Sequence, residues 1–238
     1  MSAFHKAQLS RLMMKIADNA FLAQNLYFKG GTCAAMSGFL DRLSVDLDFD
    51  IKTDADKIKI HQEFYVVFKK LKFEVKSESS KVLQFFLRYP APPGSRNTLE
   101  IDALGEIYKS NVYEPRYLAE IDRVVNCQSL ETMFANKLVA VQDRWLKRKK
   151  IVGRDIYDIH HFFYRGYSYS PDLIKERTGM EPLKYLEWLG EFIDGKLTNQ
   201  IIDEDLNMLL THEQFQNTRK SLKQEVLMFL TSRVKLPY

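Results

Sequence analysis

Three aspartates alternate with apolar residues in the segment Asp46-Leu47-Asp48-Phe49-Asp50. Because side chains alternate across a β-strand, the three carboxylates point to one face and the apolar residues to the other. Clustered carboxylates raise one another's pKa unless a cation is present. Magnesium prefers oxygen ligands and is often held by one or two carboxylates plus substrate phosphates. The segment therefore predicts a metal-binding strand or, as the plainer alternative, the solvated outer face of an edge strand.

Two other segments favour the metal-binding alternative. Gly30-Gly31-Thr32 lies upstream at a predicted strand-to-helix turn, where free backbone N–H groups can bind a phosphate. Glu100 and Asp102 alternate around an isoleucine in a later predicted strand. Each feature alone is a weak indication, but their combination predicts a two-metal phosphoryl-transfer site. Glu100 and Asp102 share a strand face, so alternation leaves open which of them is the third metal ligand.

The pattern of apolar residues places these acids in a mixed α/β half that precedes a helical half. Helical spacing predicts an opening helix over residues 3–24, a helix over 32–38 capped by Thr32, and a helix over 54–71. That last helix is predicted to bury Ile58, Phe64, Val67, Phe68 and Leu71. Alternation predicts strands at 26–28, 45–51, around 75, at 82–89 and at 98–104, and one edge strand within 112–129.

The pattern changes near Gln128. Helical spacing there predicts helices over 130–147, 155–164, 182–195 and 213–234. A mixed half followed by a helical half is typical of α+β architecture. We therefore predict an α/β core over residues 1–128 and a mainly helical domain over residues 129–238.

Composition excludes several other classes of protein. The net charge of +4, from 35 basic and 31 acidic residues, is too small to establish nucleic-acid binding. Cys33 and Cys127 lie far apart in the sequence, so we expect two buried thiols rather than a disulfide or a zinc site. No apolar run approaches the roughly 20 residues that span a bilayer, and no signal peptide is recognisable. A cytoplasmic protein without membrane partners is therefore expected.

The sequence resembles a known family at this point. Phe28-Lys29-Gly30-Gly31-Thr32, followed by Arg42-Leu43-Ser44-Val45-Asp46-Leu47-Asp48-Phe49, is similar to the signature of the AbiEii/AbiGii toxin family of nucleotidyltransferases. The similarity continues through Glu131 to Arg144 and Arg154-Asp155-Ile156-Tyr157-Asp158. It implies a DNA polymerase-β-like nucleotidyltransferase core with a helical C-terminal part, magnesium or manganese as cofactor, and a nucleoside triphosphate (NTP) as donor. Characterised relatives are toxins paired with an antitoxin, and some transfer nucleotides to the acceptor end of tRNA.

The resemblance also implies roles for single residues. Asp46 and Asp48 match the metal-binding pair, and the family pattern slightly favours Glu100 over Asp102 as the third carboxylate. Asp50 falls outside the pair and is expected to be an accessory acid or a solvated neighbour. The nucleotide-binding residues around the phosphate-binding turn are expected to be Lys29, Gly30, Gly31, Thr32 and Ser44.

The helix over 130–147 carries a second set of candidates. The resemblance makes Lys137 a triphosphate ligand, whereas spacing alone allows an ordinary solvated lysine. Asp158 matches the family's late aspartate and is expected near the nucleotide or the acceptor. Trp145 is predicted to belong to the core. If the acceptor is RNA, the sequence-independent phosphate contacts are expected from Arg144, Lys147, Arg148 and Arg154; otherwise these are solvated charges.

These observations predict a magnesium-dependent nucleotidyltransferase that moves a nucleoside monophosphate from an NTP to an acceptor hydroxyl. Its expected setting is a toxin–antitoxin or phage-defence system, with an RNA such as tRNA as acceptor. Two alternatives stay open from sequence alone. The same fold could act on a small molecule or protein, or it could be a non-catalytic nucleotide-binding or interaction protein.

Overall fold

A computed structural model describes residues 3–92, 94, 96–103 and 107–235. The chain divides into two compact units. The first unit runs to Ile107 and includes Val112–Ser129, and the second comprises Tyr108–Asn111 and the chain from Leu130 onward. Within the described part of the chain, no helix is long and apolar enough to cross a membrane. Leu104, at the end of the strand predicted over 98–104, lies outside the described residues.

The first unit contains a mixed sheet. Its described strands are β1 Leu26–Lys29, β2 Asp46–Ile51, β3 Glu74–Glu78, β4 Leu83–Arg88, β5 Thr98–Ala103, β6 Tyr113–Leu118 and β7 Arg123–Gln128. Their order in the sheet is β3-β4-β5-β2-β1-β7-β6. β2 pairs in parallel with β5 and antiparallel with β1, so it lies in the interior of the sheet.

Four helices of the first unit are described: α1 Ala3–Ala17, α2 Ala20–Asn25, α3 Gly30–Met36 and α4 Lys57–Leu71. The prediction of a single opening helix over 3–24 is wrong. The Asn19 side chain accepts hydrogen bonds from the backbone N–H groups of Phe21 and Leu22, which caps α2 and separates it from α1. Such a side-chain cap competes locally with continuation of the preceding helix.

One face of the sheet is apolar. Its buried residues include Phe28, Leu47, Phe49, Phe85 and Ile101, which alternate with polar residues on the other face. Helix α4 contributes the buried residues Ile60, Phe64, Val67, Phe68 and Leu71. The prediction that Ile58 faces inward is wrong, because Ile58 is 74% exposed. It precedes Ile60 by two residues, which places it on roughly the opposite side of the helix from that buried residue.

The segment 112–129 forms a hairpin of two strands rather than the one edge strand predicted. β6 is the outer strand, and β7 lies between β6 and β1. Pro115 interrupts the strand signal in the sequence but is tolerated in β6, because an edge strand need not use every backbone N–H for pairing.

The two cysteines lie in the core of this unit. Cys33 and Cys127 are both free and fully buried, as predicted. Burial and the neighbouring Cys127 thiol raise the pKa of Cys33 well above its ordinary value. Cys33 therefore remains a neutral thiol that packs as a small apolar group.

The second unit is helical. Its helices are α5 Leu130–Arg148, α6 Gly153–Tyr164, α7 Pro171–Thr178, α8 Pro182–Lys196, α9 Asn199–Leu206 and α10 His212–Lys235. The predicted helices correspond to α5, α6, α8 and α10, whereas α7 and α9 were not predicted. Each of those two has eight residues, which is too short for a clear periodic signal. A mixed unit and a helical region confirm the predicted α+β class.

Candidate active site

Four carboxylates of the first unit lie on the polar face of the sheet. In the parallel pair of β2 and β5, Asp46 is in register with Glu100 and Asp48 with Asp102. Residues in register on neighbouring strands share a face, so the parity predicted from sequence brings all four acids together. Because β2 is an interior strand, the alternative of a solvated edge strand is wrong.

Asp102 is a half-buried acid whose pKa is shifted by its surroundings. Its burial raises the pKa above the ordinary value; Lys29 acts in the opposite direction, while the charges of Glu100 and Asp46 raise it further. Its Oδ1 atom is buried and has no hydrogen-bond partner among the described residues. Glu100, by contrast, accepts a hydrogen bond of 2.8 Å from Gln84 Nε2. The cluster therefore contains a carboxylate whose charge would be stabilised by a cation.

The glycine turn packs directly against the acidic strand. Gly30 has a φ of +77°, and a Cβ added to it would lie 2.3 Å from Asp48 Oδ2. A side chain at this position would thus meet both a backbone conformation that favours glycine and a steric clash. A Cβ on Gly31 would lie 3.0 Å from Ser44 Oγ and 3.2 Å from the Arg42 guanidinium. The two glycines allow the turn to approach β2 closely.

Thr32 and Ser44 connect this turn to β2. Thr32 Oγ1 lies 2.5 Å from the Asp46 carbonyl oxygen and 2.9 Å from Ser44 Oγ. The prediction that Thr32 caps a helix is wrong, because α3 begins at Gly30 and Thr32 lies inside it. Its side chain instead holds the helix against the start of the acidic strand. Arg42 is also buried here and donates to the Leu43 carbonyl oxygen at 2.9 Å.

Asp50 has a different environment from Asp46 and Asp48. It is 1% exposed, so the alternative of a solvated neighbour is wrong. Its Oδ1 accepts from Lys29 Nζ at 2.6 Å, and its Oδ2 accepts from Tyr113 Oη at 2.8 Å and from Gln128 Nε2 at 2.9 Å. Tyr113 and Gln128 come from the β6–β7 hairpin, and no local pattern in the sequence predicts their contact with Asp50.

The second unit holds the other predicted residues in a buried ion-pair cluster. Lys137 Nζ lies 2.7 Å from Asp158 Oδ2 and 3.7 Å from Asp155 Oδ1, and Arg144 pairs with Asp155. Both aspartates are buried, and Lys137 is only 16% exposed. A freely solvated Lys137 is therefore excluded. Removing one partner of such a buried pair leaves an uncompensated charge, which is strongly destabilising.

The remaining basic candidates differ in exposure. Lys147 and Arg148 are exposed, whereas Arg154 at the start of α6 is half-buried. The Trp145 ring packs against Phe192, with ring centroids 5.2 Å apart. Trp145 is half-buried, so the prediction that it belongs to the core is wrong, although its ring does pack against a neighbouring helix residue.

The acids on the sheet face fit a divalent cation in their chemistry. Among the residues that the structure describes, no three His, Cys, Asp or Glu side chains are already gathered as a metal cluster. Magnesium does not require such a cluster, because one or two carboxylates plus substrate phosphates are a common ligand set. Carboxylate oxygens on adjacent strands, together with the unpartnered buried Oδ1 of Asp102, supply the hard donors that this ion prefers.

Three solved structures share the fold. JHP933 from Helicobacter pylori is 19% identical, with a TM-score of 0.61 over 99% of this chain and 95% of its own. A putative nucleotidyltransferase from H. pylori is 19% identical, with a TM-score of 0.62 over all of both chains. MenT4, a nucleotidyltransferase toxin from Mycobacterium tuberculosis H37Rv, is 16% identical, with a TM-score of 0.52 over 96% of this chain and 85% of its own. At these identities the likeness shows the fold alone.

Sequence comparison extends the result from fold to family. No curated protein matches the chain. A family model described as "Nucleotidyl transferase AbiEii toxin, Type IV TA system" matches residues 11–230, which is most of the sequence. This match confirms the resemblance found in the signature around Gly30 and Asp48. The chain belongs to the AbiEii family of nucleotidyltransferase toxins.

Proposed function

We propose that this protein transfers a nucleoside monophosphate from an NTP to an acceptor hydroxyl, with magnesium held by the acids of β2. The observation that carries the proposal is the shared sheet face of Asp46, Asp48, Glu100 and Asp102, against which the Gly30 turn packs. Acids at this spacing beside a glycine turn are suited to phosphoryl transfer, in which catalysis is mainly positioning and charge neutralisation.

Asp46 and Asp48 are the proposed metal-binding pair. When bound, magnesium neutralises phosphate charge and favours ionisation of the acceptor hydroxyl. We assign the third carboxylate to Asp102 rather than to Glu100, which the family pattern slightly favoured. Glu100 is already bonded to Gln84, whereas Asp102 Oδ1 has no protein hydrogen bond among the described residues.

The first turn of α3 is the proposed site for the triphosphate. Backbone N–H groups at Gly31 and Thr32 offer donors to phosphate oxygens, and the side chains of Thr32 and Ser44 fix the turn to Asp46. Gly30 keeps the approach to Asp48 free of a side chain. Lys29 contributes a positive charge at the same strand end, paired with Asp50.

Lys137 and Asp158, which form an ion pair, are proposed to take part in nucleotide binding together. Asp158 holds the Lys137 ammonium at 2.7 Å, which fixes the orientation of this cation. This predicted role stays a proposal. It is tested by Lys137→Met and Asp158→Asn, each of which removes one charge with little change in side-chain size.

RNA, such as tRNA, is the proposed acceptor. Lys147 and Arg148 are exposed at the end of α5, and Lys149 and Lys150 follow them. Exposed cations of this kind can contact phosphates without reading sequence. Membership in a type IV toxin–antitoxin family further supports a cognate antitoxin as partner.

The test is nucleotide transfer by purified protein. Wild type is incubated with magnesium, each labelled NTP in turn, and total tRNA, and the labelled products are separated by size. We expect labelled tRNA with one preferred nucleotide, abolished by EDTA and reduced at least about 100-fold by Asp48→Asn. Asp54→Asn is the matched control, because Asp54 is an exposed aspartate just beyond β2.

Cell growth provides the second readout. Expression of wild type should arrest growth, and Asp48→Asn should relieve the arrest while Asp54→Asn should not. Label on a small molecule or a protein instead of tRNA would replace the proposed acceptor. If no NTP binds and Asp48→Asn leaves growth arrest intact, the enzymatic proposal is wrong.

A further inference from the structure

Lys29 and Asp50 form an ion pair on the acidic face of the sheet. Neither residue belongs to the metal-binding pair that the family signature identifies. Asp50 is fully buried, and each of its oxygens accepts a hydrogen bond within the protein. A buried carboxylate with three donors is held in one position, and it holds its cationic donor in turn. The Lys29 ammonium is therefore fixed in place rather than swinging freely on its side chain.

The backbone register places Lys29 beside the proposed metal ligands. Lys29 on β1 is the cross-strand partner of Asp48 on β2, and its ion pair with Asp50 forms one step along the same face. Cross-strand partners have Cβ atoms only about 5 Å apart. The charge of Lys29 also reaches Asp102, whose pKa it lowers against the opposing effect of burial.

We propose that Asp50 fixes Lys29 as a permanent countercharge beside Asp48 and Asp102, so that this ion pair sets how tightly the acidic site takes up a divalent cation. The proposal rests on the function proposed above and assigns two positioning residues to it. Lys29 lessens the mutual repulsion of the acids, and the same positive charge opposes an incoming cation. Asp50 acts through Lys29, because it limits how closely the ammonium approaches the metal ligands.

A merely structural ion pair would behave differently. Removing either partner of such a pair would lower protein stability and would leave cation affinity unchanged in the molecules that remain folded. The countercharge proposal predicts opposite changes in affinity for the two partners. Removing Lys29 takes away a repulsive charge, whereas removing the charge of Asp50 frees Lys29 to pair with the metal ligands instead.

The experiment measures Mn²⁺ binding to the full chain without nucleotide, by electron paramagnetic resonance of free Mn²⁺. Lys29→Met should tighten binding about fivefold, which is the size expected when one charge several ångströms from a divalent ion is removed in a largely solvated site. Lys29→Arg keeps the charge and should stay within about twofold of wild type. Lys52→Met removes an exposed lysine just beyond β2 and is the matched charge control, with no change expected.

Asp50→Asn tests the positioning role. It should weaken Mn²⁺ binding about threefold or more in the wild-type background, because Lys29 then competes with the ion. In the Lys29→Met background the same substitution should weaken Mn²⁺ binding clearly less, because only the direct attraction of the Asp50 charge is then lost and no lysine competes with the ion. The circular dichroism melting curve of each variant establishes that it is folded at the assay temperature. If Asp50→Asn does not fold, the three lysine variants decide the proposal.

The outcomes separate this inference from the proposed function. If wild type transfers nucleotides but Lys29→Met leaves Mn²⁺ affinity unchanged or weaker, the countercharge is wrong and the enzymatic function stands. If Mn²⁺ binds and tightens in Lys29→Met while no acceptor is ever labelled, the countercharge stands and the transfer reaction is wrong. If wild type transfers nucleotides but binds no Mn²⁺ in the absence of nucleotide, the countercharge is wrong and the enzymatic function stands, because substrate phosphates can complete the ligand set.

Discussion

Substitution of Gly30 by alanine should separate backbone strain from damage to the site. At a φ of +77°, an alanine costs about 1 kcal/mol or slightly more in backbone energy. The new Cβ would also lie 2.3 Å from Asp48 Oδ2, whereas ordinary van der Waals contact begins at 3.4 Å. The Asp48 carboxylate must therefore move by about 1 Å. A displacement of that size in a reacting group can reduce the rate about 100-fold.

Gly38 offers a matched control in the same unit. It has a φ of +79°, and a Cβ added there would have nothing within 4 Å. Gly38→Ala therefore has the same backbone strain without a clash. Urea unfolding should show a loss of about 1 kcal/mol in Gly38→Ala and at least as large a loss in Gly30→Ala. NTP transfer and Mn²⁺ affinity should fall only in Gly30→Ala.

Two results would refute this reasoning. Full transfer activity in Gly30→Ala would mean that the position of Asp48 against the turn does not matter for the reaction. Equal loss of activity in Gly38→Ala would mean that strain near α3, rather than the approach to Asp48, limits activity. A larger loss of stability in Gly30→Ala than in Gly38→Ala is compatible with the reasoning, because the displaced carboxylate loses its packing.

Two further predictions concern stability. Burial is the main cause that lowers the pKa of His5 from 6.5 to about 4. The contribution of His5 to the free energy of unfolding should therefore be constant above pH 6.5. It should fall by up to about 3 kcal/mol as the pH drops from 6.5 to 4, and change no further below pH 4. The cause is that the unfolded chain binds a proton in this window while His5, whose Nδ1 lies 2.5 Å from Tyr89 Oη, does not. Lys137→Met should lower the free energy of unfolding by about 3 kcal/mol, because the buried Asp158 carboxylate loses the Lys137 ammonium. The double variant Lys137→Met/Asp158→Asn should regain most of that stability.

Both predictions are checked by urea unfolding with matched variants. His5→Asn lacks the titrating ring, so the difference in stability between pH 7.5 and pH 4.5 should be smaller than in wild type; an unchanged difference would assign the effect to other groups. For the buried pair, additive losses in the double variant would show that Lys137 and Asp158 are not energetically coupled.

Strict alternation made the acidic strand the most predictable element. Leu47, Phe49 and Ile51 are buried on one face, and Asp46 and Asp48 lie on the other, as the sequence predicts. The pattern was informative because an interior strand of a sheet with one apolar face requires that alternation. The resemblance to the family assigned a phosphate-binding role to the glycine turn. The spacing of residues alone does not predict that this turn lies so close to Asp48.

Other features depend on contacts that sequence does not carry. The environment of Asp50 is set by Tyr113 and Gln128, which reach it only because β7 pairs with β1 and brings β6 with it. Spacing therefore could not distinguish a solvated aspartate from a buried one. Likewise, the pairing of Lys137 with Asp158 follows from the packing of α5 against α6, so spacing alone allowed a solvated lysine.

The acidic site exists only when β2 and β5 pair in the parallel register seen in the structure, so the site depends on this step of folding. Asp46 and Glu100 are far apart along the chain, and one register places both acid pairs together. A slip by one residue would bring Leu99 and Ile101 to the acidic face. Such non-local pairing forms slowly, since the chain between the strands must be ordered first. A partly folded chain should thus lack the metal site: in refolding experiments, Mn²⁺ binding should return with the last structural phase and never ahead of it.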